Sequence, residues 1–137
     1  MHNSHEAARH VEAAADRDAD FILTPEVTNC LSASRTRQHE VLRTETEDET
    51  LSKLREICTR RKVWLLIGSL ALKEPHEDDR FVKRSLLVAP KGNVVARYDK
   101  LHMFDVTLSA TETYRESSGY RPGSSATLAE VEGAKIG

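Results

Sequence analysis

The continuous apolar run Val63-Trp64-Leu65-Leu66-Ile67-Gly68-Ser69 is the most hydrophobic window of this sequence. An unbroken run of this kind predicts a β-strand buried on both faces, and such a strand needs neighbours in a sheet and further layers above and below it. The preceding segment supplies one layer. Leu51, Leu54, Ile57 and Cys58 recur at helical spacing, so a helix opening at Thr50 turns one apolar face to the sheet. Earlier still, Phe21-Ile22-Leu23 reads as a short strand of the buried type, stopped at Thr24-Pro25 because proline cannot donate to a ladder. The strand–helix–strand order predicts an α/β fold with a layered sheet and the long apolar strands as neighbours.

The rest of the chain fits that frame. Asn3 or Ser4 is placed to cap a first helix through Ala7, Ala8, Val11, Ala14 and Ala15, which ends at Asp18-Ala19-Asp20. Thr28 to Thr50 is polar, with helical potential around Arg37 to Arg43, and is expected to cover a site mouth or lie on the surface. Lys73 to Arg80, with Pro75 and four acidic residues, reads as an exposed turn. Ser85-Leu86-Leu87-Val88-Ala89, the turn Pro90-Lys91-Gly92-Asn93 and Val94-Val95-Ala96-Arg97-Tyr98 read as a β-hairpin. Thr107 to Gly119 is polar, Tyr120-Arg121-Pro122-Gly123 is a turn signal, and Ala126 to Val131 and Gly133 to Gly137 each read as a strand. No repeat or low-complexity linker interrupts the 137 residues, which predicts a single unit over 1–137.

Charge narrows the partners. A net charge of −2 with both signs interspersed leaves no footprint for nucleic acid or anionic membrane. No apolar stretch approaches membrane-spanning length, and the start, with His2, His5, Glu6 and Arg9, lacks a signal peptide's apolar centre. Cys30 and Cys58 form no Cys-x-x-Cys pair, which predicts a reducing, cytoplasmic setting. Cys58, on the apolar helix face, reads as a small buried hydrophobe.

Lys100 follows the hairpin's second strand, where a strand gives way to a loop. Asp99 and His102 flank it, and Leu101, Met103 and Phe104 are expected to pull this titratable cluster into a packed wall. A lysine held that way is either a desolvated nucleophile or base, or a fixed cation facing developing negative charge. Asp99, His102 and Asp105 also have a spacing open to a metal, although a surface histidine is the stronger reading, and no cofactor or metal is assigned.

Tyr98-Asp99-Lys100-Leu101-His102-Met103-Phe104-Asp105 resembles the lysine motif of the nitrilase, or carbon–nitrogen hydrolase, superfamily. Two further segments follow the family's order. Phe21-Ile22-Leu23-Thr24-Pro25-Glu26 resembles the buried strand ending in the general-base glutamate, and Arg115-Glu116-Ser117 with Tyr120-Arg121-Pro122-Gly123 resembles the segment carrying a second glutamate. Glu112, in the same loop, is the rival for that second place. The resemblance therefore implies Glu26, Lys100 and Glu116 as catalytic residues and a partial α-β-β-α sandwich. It also implies hydrolysis of a C–N bond in a small linear amide, and the motif is most similar to the ω-amidase and deaminated-glutathione amidase branch. Lys83 departs from the family, which commonly has asparagine there.

In the family's chemistry a cysteine thiolate attacks the amide carbon, the glutamate moves the proton and the lysine stabilises the tetrahedral intermediate. Gly133-Ala134-Lys135-Ile136-Gly137 resembles the entry to the strand that delivers this cysteine, and the chain ends before it; the family's usual first strand is also missing ahead of the helix near Met1. Neither Cys30 nor Cys58 matches the nucleophile's position. The chain is thus expected to have no turnover alone, to expose apolar surface and strand edges, and to self-associate as a homo-oligomer. The alternative expectation is a catalytically dead homologue acting as a binding or interaction module.

Overall fold

The computed structural model describes residues 2–76, 78–109 and 111–137, with the backbone alone for His2. Met1 and Glu77, which enter the expectations above, lie outside the described residues. Four strands form the main sheet: β1 (Phe21–Leu23), β2 (Trp64–Leu72), β3 (Val82–Val88) and β4 (Val94–Asp99), in that spatial order. β1 runs parallel to β2, and the β2–β3 and β3–β4 pairs are antiparallel.

Helices α1 (His2–Ala15) and α3 (Glu49–Arg61) cover one face of this sheet, while α2 (Arg35–Val41) lies in the intervening polar segment. Val11 of α1 and Leu51, Leu54, Ile57 and Cys58 of α3 pack on Leu65, Ile67, Leu70, Leu72, Val82, Leu86 and Val88. The α3 stripe expected from spacing is therefore the one that is buried. Its cap is Asp48, whose Oδ1 accepts the Leu51 N–H at 2.8 Å, so the helix opens just before Thr50. Arg60 and Arg61, at the end of α3, reach across to Glu12 and Asp16 of α1.

α1 begins at His2, so neither Asn3 nor Ser4 caps it. Ser4 is buried instead, because its place one turn before Ala8 puts it on the stripe that faces α3.

Strand β2 explains more of the design. Its first half alternates: Leu65 and Ile67 are fully buried, while Trp64 and Leu66 are only half-buried. The expected burial on both faces holds only beyond Gly68. There, Gly68 and Ser69 together oppose Ser85, a register shift between Ile67 and Leu70. One extra residue reverses the side-chain alternation, so odd-numbered Leu65 and Ile67 and even-numbered Leu70 and Leu72 all face the helices. Ser69, Ala71, Lys83, Ser85 and Leu87 occupy the opposite face.

On that face Leu42, Ala71, Phe81 and Tyr120 make a second apolar cluster. Tyr120 is buried and pairs through its backbone with Phe81, so the expected turn at Tyr120–Gly123 is instead a docking segment. Its ring, large and amphipathic, gains more from burial than from solvent. Lys73 to Arg80 is not a plain exposed turn either, since Glu74 pairs with Arg84 and Arg121. The polar stretch after Asp105 contains an unexpected hairpin, β5 (Asp105–Thr107) with β6 (Thr113–Arg115). The strands anticipated near the carboxyl end form as β7 (Ala129–Val131) and β8 (Ala134–Ile136), paired with each other. β8 is largely exposed, with Ile136 half-buried.

Candidate active site

Glu26 stands at the carboxyl end of β1, and the β2 bulge holds it there. The Gly68 N–H donates to Thr24 Oγ1 at 3.2 Å, Ser69 Oγ accepts the Val27 N–H at 2.9 Å, and the Thr28 N–H donates to the Ser69 carbonyl at 2.9 Å. Gly68 is needed because a Cβ there would sit 2.1 Å from the Thr24 carbonyl oxygen. Val27, the next residue, has φ +54°, a left-handed conformation that a β-branched side chain rarely adopts. Strain of this kind persists where neighbouring contacts over-determine the backbone, and here they fix the residue beside Glu26.

Lys100 leaves β4 with both backbone groups committed. Its N–H donates to the Lys83 carbonyl and its carbonyl accepts the Gly123 N–H, each at 2.9 Å. Its Nζ lies 3.0 Å from Glu26 Oε1 and 3.0 Å from both carboxylate oxygens of Glu116. One ammonium from the end of β4 thus bridges two carboxylates, one from the end of β1 and one from beyond β6.

The β5–β6 hairpin delivers Glu116. Asp105 opposes Arg115, and the Glu116 N–H donates to the Phe104 carbonyl while Glu116 Oε2 accepts the Phe104 N–H at 2.6 Å. Only 1% of the Glu116 side chain is exposed. Glu112 sits near the hairpin tip, exposed, with its carbonyl accepting from Leu108, and is not brought to Lys100.

The neighbours expected around Lys100 from sequence are not its partners. Asp99 points to the other side of the strand, where Arg84 donates to both of its oxygens at 2.7 and 2.9 Å. His102 is exposed, and so are Leu101 and Phe104; of the supposed apolar wall only Met103 packs inward. Asp105 accepts from the backbone and hydroxyl of Ser117. Among the described residues no group of three or more His, Cys, Asp or Glu side chains is arranged to hold a metal ion.

Lys83 is the site residue that sequence reasoning does not assign. Its Nζ lies 2.5 Å from Glu116 Oε1 and 3.2 Å from Glu26 Oε1, and 4.7 Å from the centre of the Tyr120 ring. Strand alternation is the available signal: Lys83 shares a face with Ser85, across from the bulge that holds Glu26. Two ammonium and two carboxylate groups therefore share one cluster.

The electrostatics follow from these contacts. Lys100 and then Lys83 hold the Glu26 carboxyl below its ordinary value, with partial burial opposing them. Burial works against ionisation of Glu116, but Lys83, the Phe104 N–H and Lys100 outweigh it and lower its pKa. Both lysines are pushed up: burial opposes the charge, and the two carboxylates more than compensate. The arrangement can keep a carboxylate base and an ammonium side by side in their charged forms near neutral pH.

The thiols lie elsewhere. Cys58 is fully buried among the α3 core residues, where burial pushes it up to about 11. Cys30 is half-buried against the Leu42–Phe81–Tyr120 cluster, and burial raises it too. A cavity of about 710 Å³ between the α1 start and the segment from Asn29 to Thr50 is lined by none of Glu26, Lys83, Lys100 or Glu116.

The carbon–nitrogen hydrolase family model matches residues 1–137, the whole chain. The chain belongs to the carbon–nitrogen hydrolase family. As a carbon–nitrogen hydrolase chain it is 37% identical over 86 residues to deaminated glutathione amidase from Yersinia enterocolitica, covering 62% of this chain and 30% of that protein. Nitrilase homolog 2 of Dictyostelium discoideum is 30% identical over 98% of this chain and 40% of its own length. The chain thus spans well under half of these curated relatives. The crystal structure of the NitFhit protein of Caenorhabditis elegans superposes with a TM-score of 0.79 at 24% identity, over 89% of this chain and 29% of that one. This likeness places the α/β architecture within the nitrilase-superfamily fold.

Proposed function

We propose that residues 1–137 form one catalytic-domain portion of an enzyme hydrolysing the C–N bond of a small linear amide, with Glu26 as general base, Lys100 as oxyanion-stabilising cation and Glu116 as its anchor. The observation that carries this reading is the single Lys100 ammonium held 3.0 Å from both Glu26 and Glu116. A carboxylate kept ionised can take the proton from an attacking thiol and return it to the departing amine. The neighbouring ammonium is placed to receive the negative charge that develops on the carbonyl oxygen as the thiolate adds. After the amine leaves, the same carboxylate activates the water that cleaves the thioester.

The positions of Cys30 and Cys58, both packed into apolar clusters, support assigning the attacking thiol to neither. The chain alone is therefore proposed to be inactive. A carboxylate-bearing amide is the proposed substrate class, in keeping with the deaminated glutathione amidase it resembles. Exposed Leu23, Leu31, Leu108 and Leu128 support self-association, and two free thiols support a cytoplasmic setting.

The test is ammonia release from ω-amides of small dicarboxylic acids by the protein expressed from its complete reading frame. Glu26→Gln should lower kcat by about 10²–10⁴-fold with the fold intact. Undiminished ammonia release by that variant would overturn the assignment, and turnover by residues 1–137 alone would overturn the proposed inactivity of this chain.

A further inference from the structure

We propose that Lys83 is a second cationic positioning residue of this site, holding Glu116 and Glu26 in place so that Lys100 is not fully neutralised by the two carboxylates. The inference rests on the reading of Glu26 and Lys100 given above and deepens it.

The geometry is specific. Lys83 lies on β3, and only 10% of its side chain is exposed. A lysine buried to that degree is unusual unless paired, and both of its partners belong to the candidate site. It contacts Glu116 Oε1 at 2.5 Å and Glu26 Oε1 at 3.2 Å, the same two oxygens that Lys100 approaches. Its stem is also fixed, because its carbonyl accepts the Lys100 N–H and its ammonium faces the Tyr120 ring. Lys83 therefore ties the Lys100 backbone and both of its carboxylate partners into one unit.

The charge balance gives this a consequence for chemistry. The charged groups facing Glu26 are Lys83 from β3, Lys100 from the end of β4 and Glu116 from beyond β6, while β2 presents Gly68 and Ser69. With Lys83 present the cluster is neutral. Without it, two carboxylates would share one ammonium, and Lys100 would have less positive charge to offer a developing oxyanion. The same cation makes Glu26 a weaker base, so Lys83 sets the balance between proton transfer and charge stabilisation.

The experiment is a carboxyl ¹³C NMR titration of the 137-residue chain as wild type, Lys83→Met and Lys83→Arg. At a separation of 3.2 Å a water-like dielectric puts the rise in the Glu26 midpoint in Lys83→Met at about one pH unit. Lys83→Arg should restore most of the difference, and Glu45, which pairs with Arg84 and Arg97, should not move. A Glu26 midpoint unchanged in Lys83→Met, or one that moves together with Glu45, would overturn the proposal. Should Lys83→Met not fold, the wild type still decides: the Lys83 ¹⁵Nζ resonance should follow the Glu26 midpoint, and a resonance indifferent to it would overturn the proposal. Coupling without ammonia release by the complete protein would refute only the amidase reading; ammonia release without coupling would refute only this one.

Discussion

Replacing Glu116 by glutamine removes one charge from the most enclosed part of the site while keeping its shape. The Glu116 side chain is 1% exposed and its Lys83 partner 10%, so this pair is shielded from solvent. Removing one partner of a buried pair costs about 3–5 kcal/mol, because the other charge is stranded. Two features reduce the loss here. Lys83 keeps Glu26 as a partner at 3.2 Å, and the carbonyl of the introduced side-chain amide can still accept the Phe104 N–H. The contact with Lys100, which is 28% exposed, adds about 0–1 kcal/mol at most. Together these place the cost of Glu116→Gln at about 2–3 kcal/mol at neutral pH.

The pH dependence gives the sharper test. The folded Glu116 carboxyl lies below its unfolded value of about 4.3, so its contribution is complete above that pH. It is lost as pH falls through the folded value. Urea unfolding followed by Trp64 fluorescence, from neutral pH down to about pH 2.5, should therefore show the two proteins converging as the pH drops. A difference below about 0.5 kcal/mol at neutral pH, or one that stays constant to the acid end, would refute the buried-pair reasoning.

Three further outcomes are expected. Leu54→Ala, at a fully buried position on α3, should lose about 2–5 kcal/mol in the same unfolding assay, and a loss under about 1 kcal/mol would contradict its place in the core. Gly68→Ala drives a methyl against the Thr24 and Pro25 backbone; it should cost about 1–3 kcal/mol and weaken the Glu26–Lys100 contact, and an unchanged Tm would show that the turn is not braced as described. Iodoacetamide should alkylate Cys30 in the native protein while Cys58, buried and pushed up to about 11, resists until unfolding; equal rates by mass spectrometry would contradict that burial.

Local pattern is enough to read the elements that bury a regular stripe. The spacing of Leu51, Leu54, Ile57 and Cys58 marks α3, and the apolar runs mark β2 and β3, since burial on a helix or strand repeats along the chain. The β5–β6 hairpin is not legible this way because its strands are short and largely exposed, leaving no apolar alternation to read. Tyr120 reads as part of a turn because the neighbouring Pro122 and Gly123 are strong local signals, whereas its burial depends on Phe81, far away in sequence.

For the site, residue type and order along the chain are enough to pick out the chemically suited side chains: a glutamate after a strand, a lysine after a hairpin and a glutamate in the segment beyond. Their partners are set by the packed fold. Asp99 adjoins Lys100 in the chain yet pairs with Arg84, because successive strand residues point to opposite faces. Lys83 joins the site because β3 runs beside β4, and Glu116 in place of Glu112 reaches Lys100 because the hairpin register puts Arg115 opposite Asp105. Contacts between groups held by different strands depend on register and sheet order, which only the packing of the whole sheet sets.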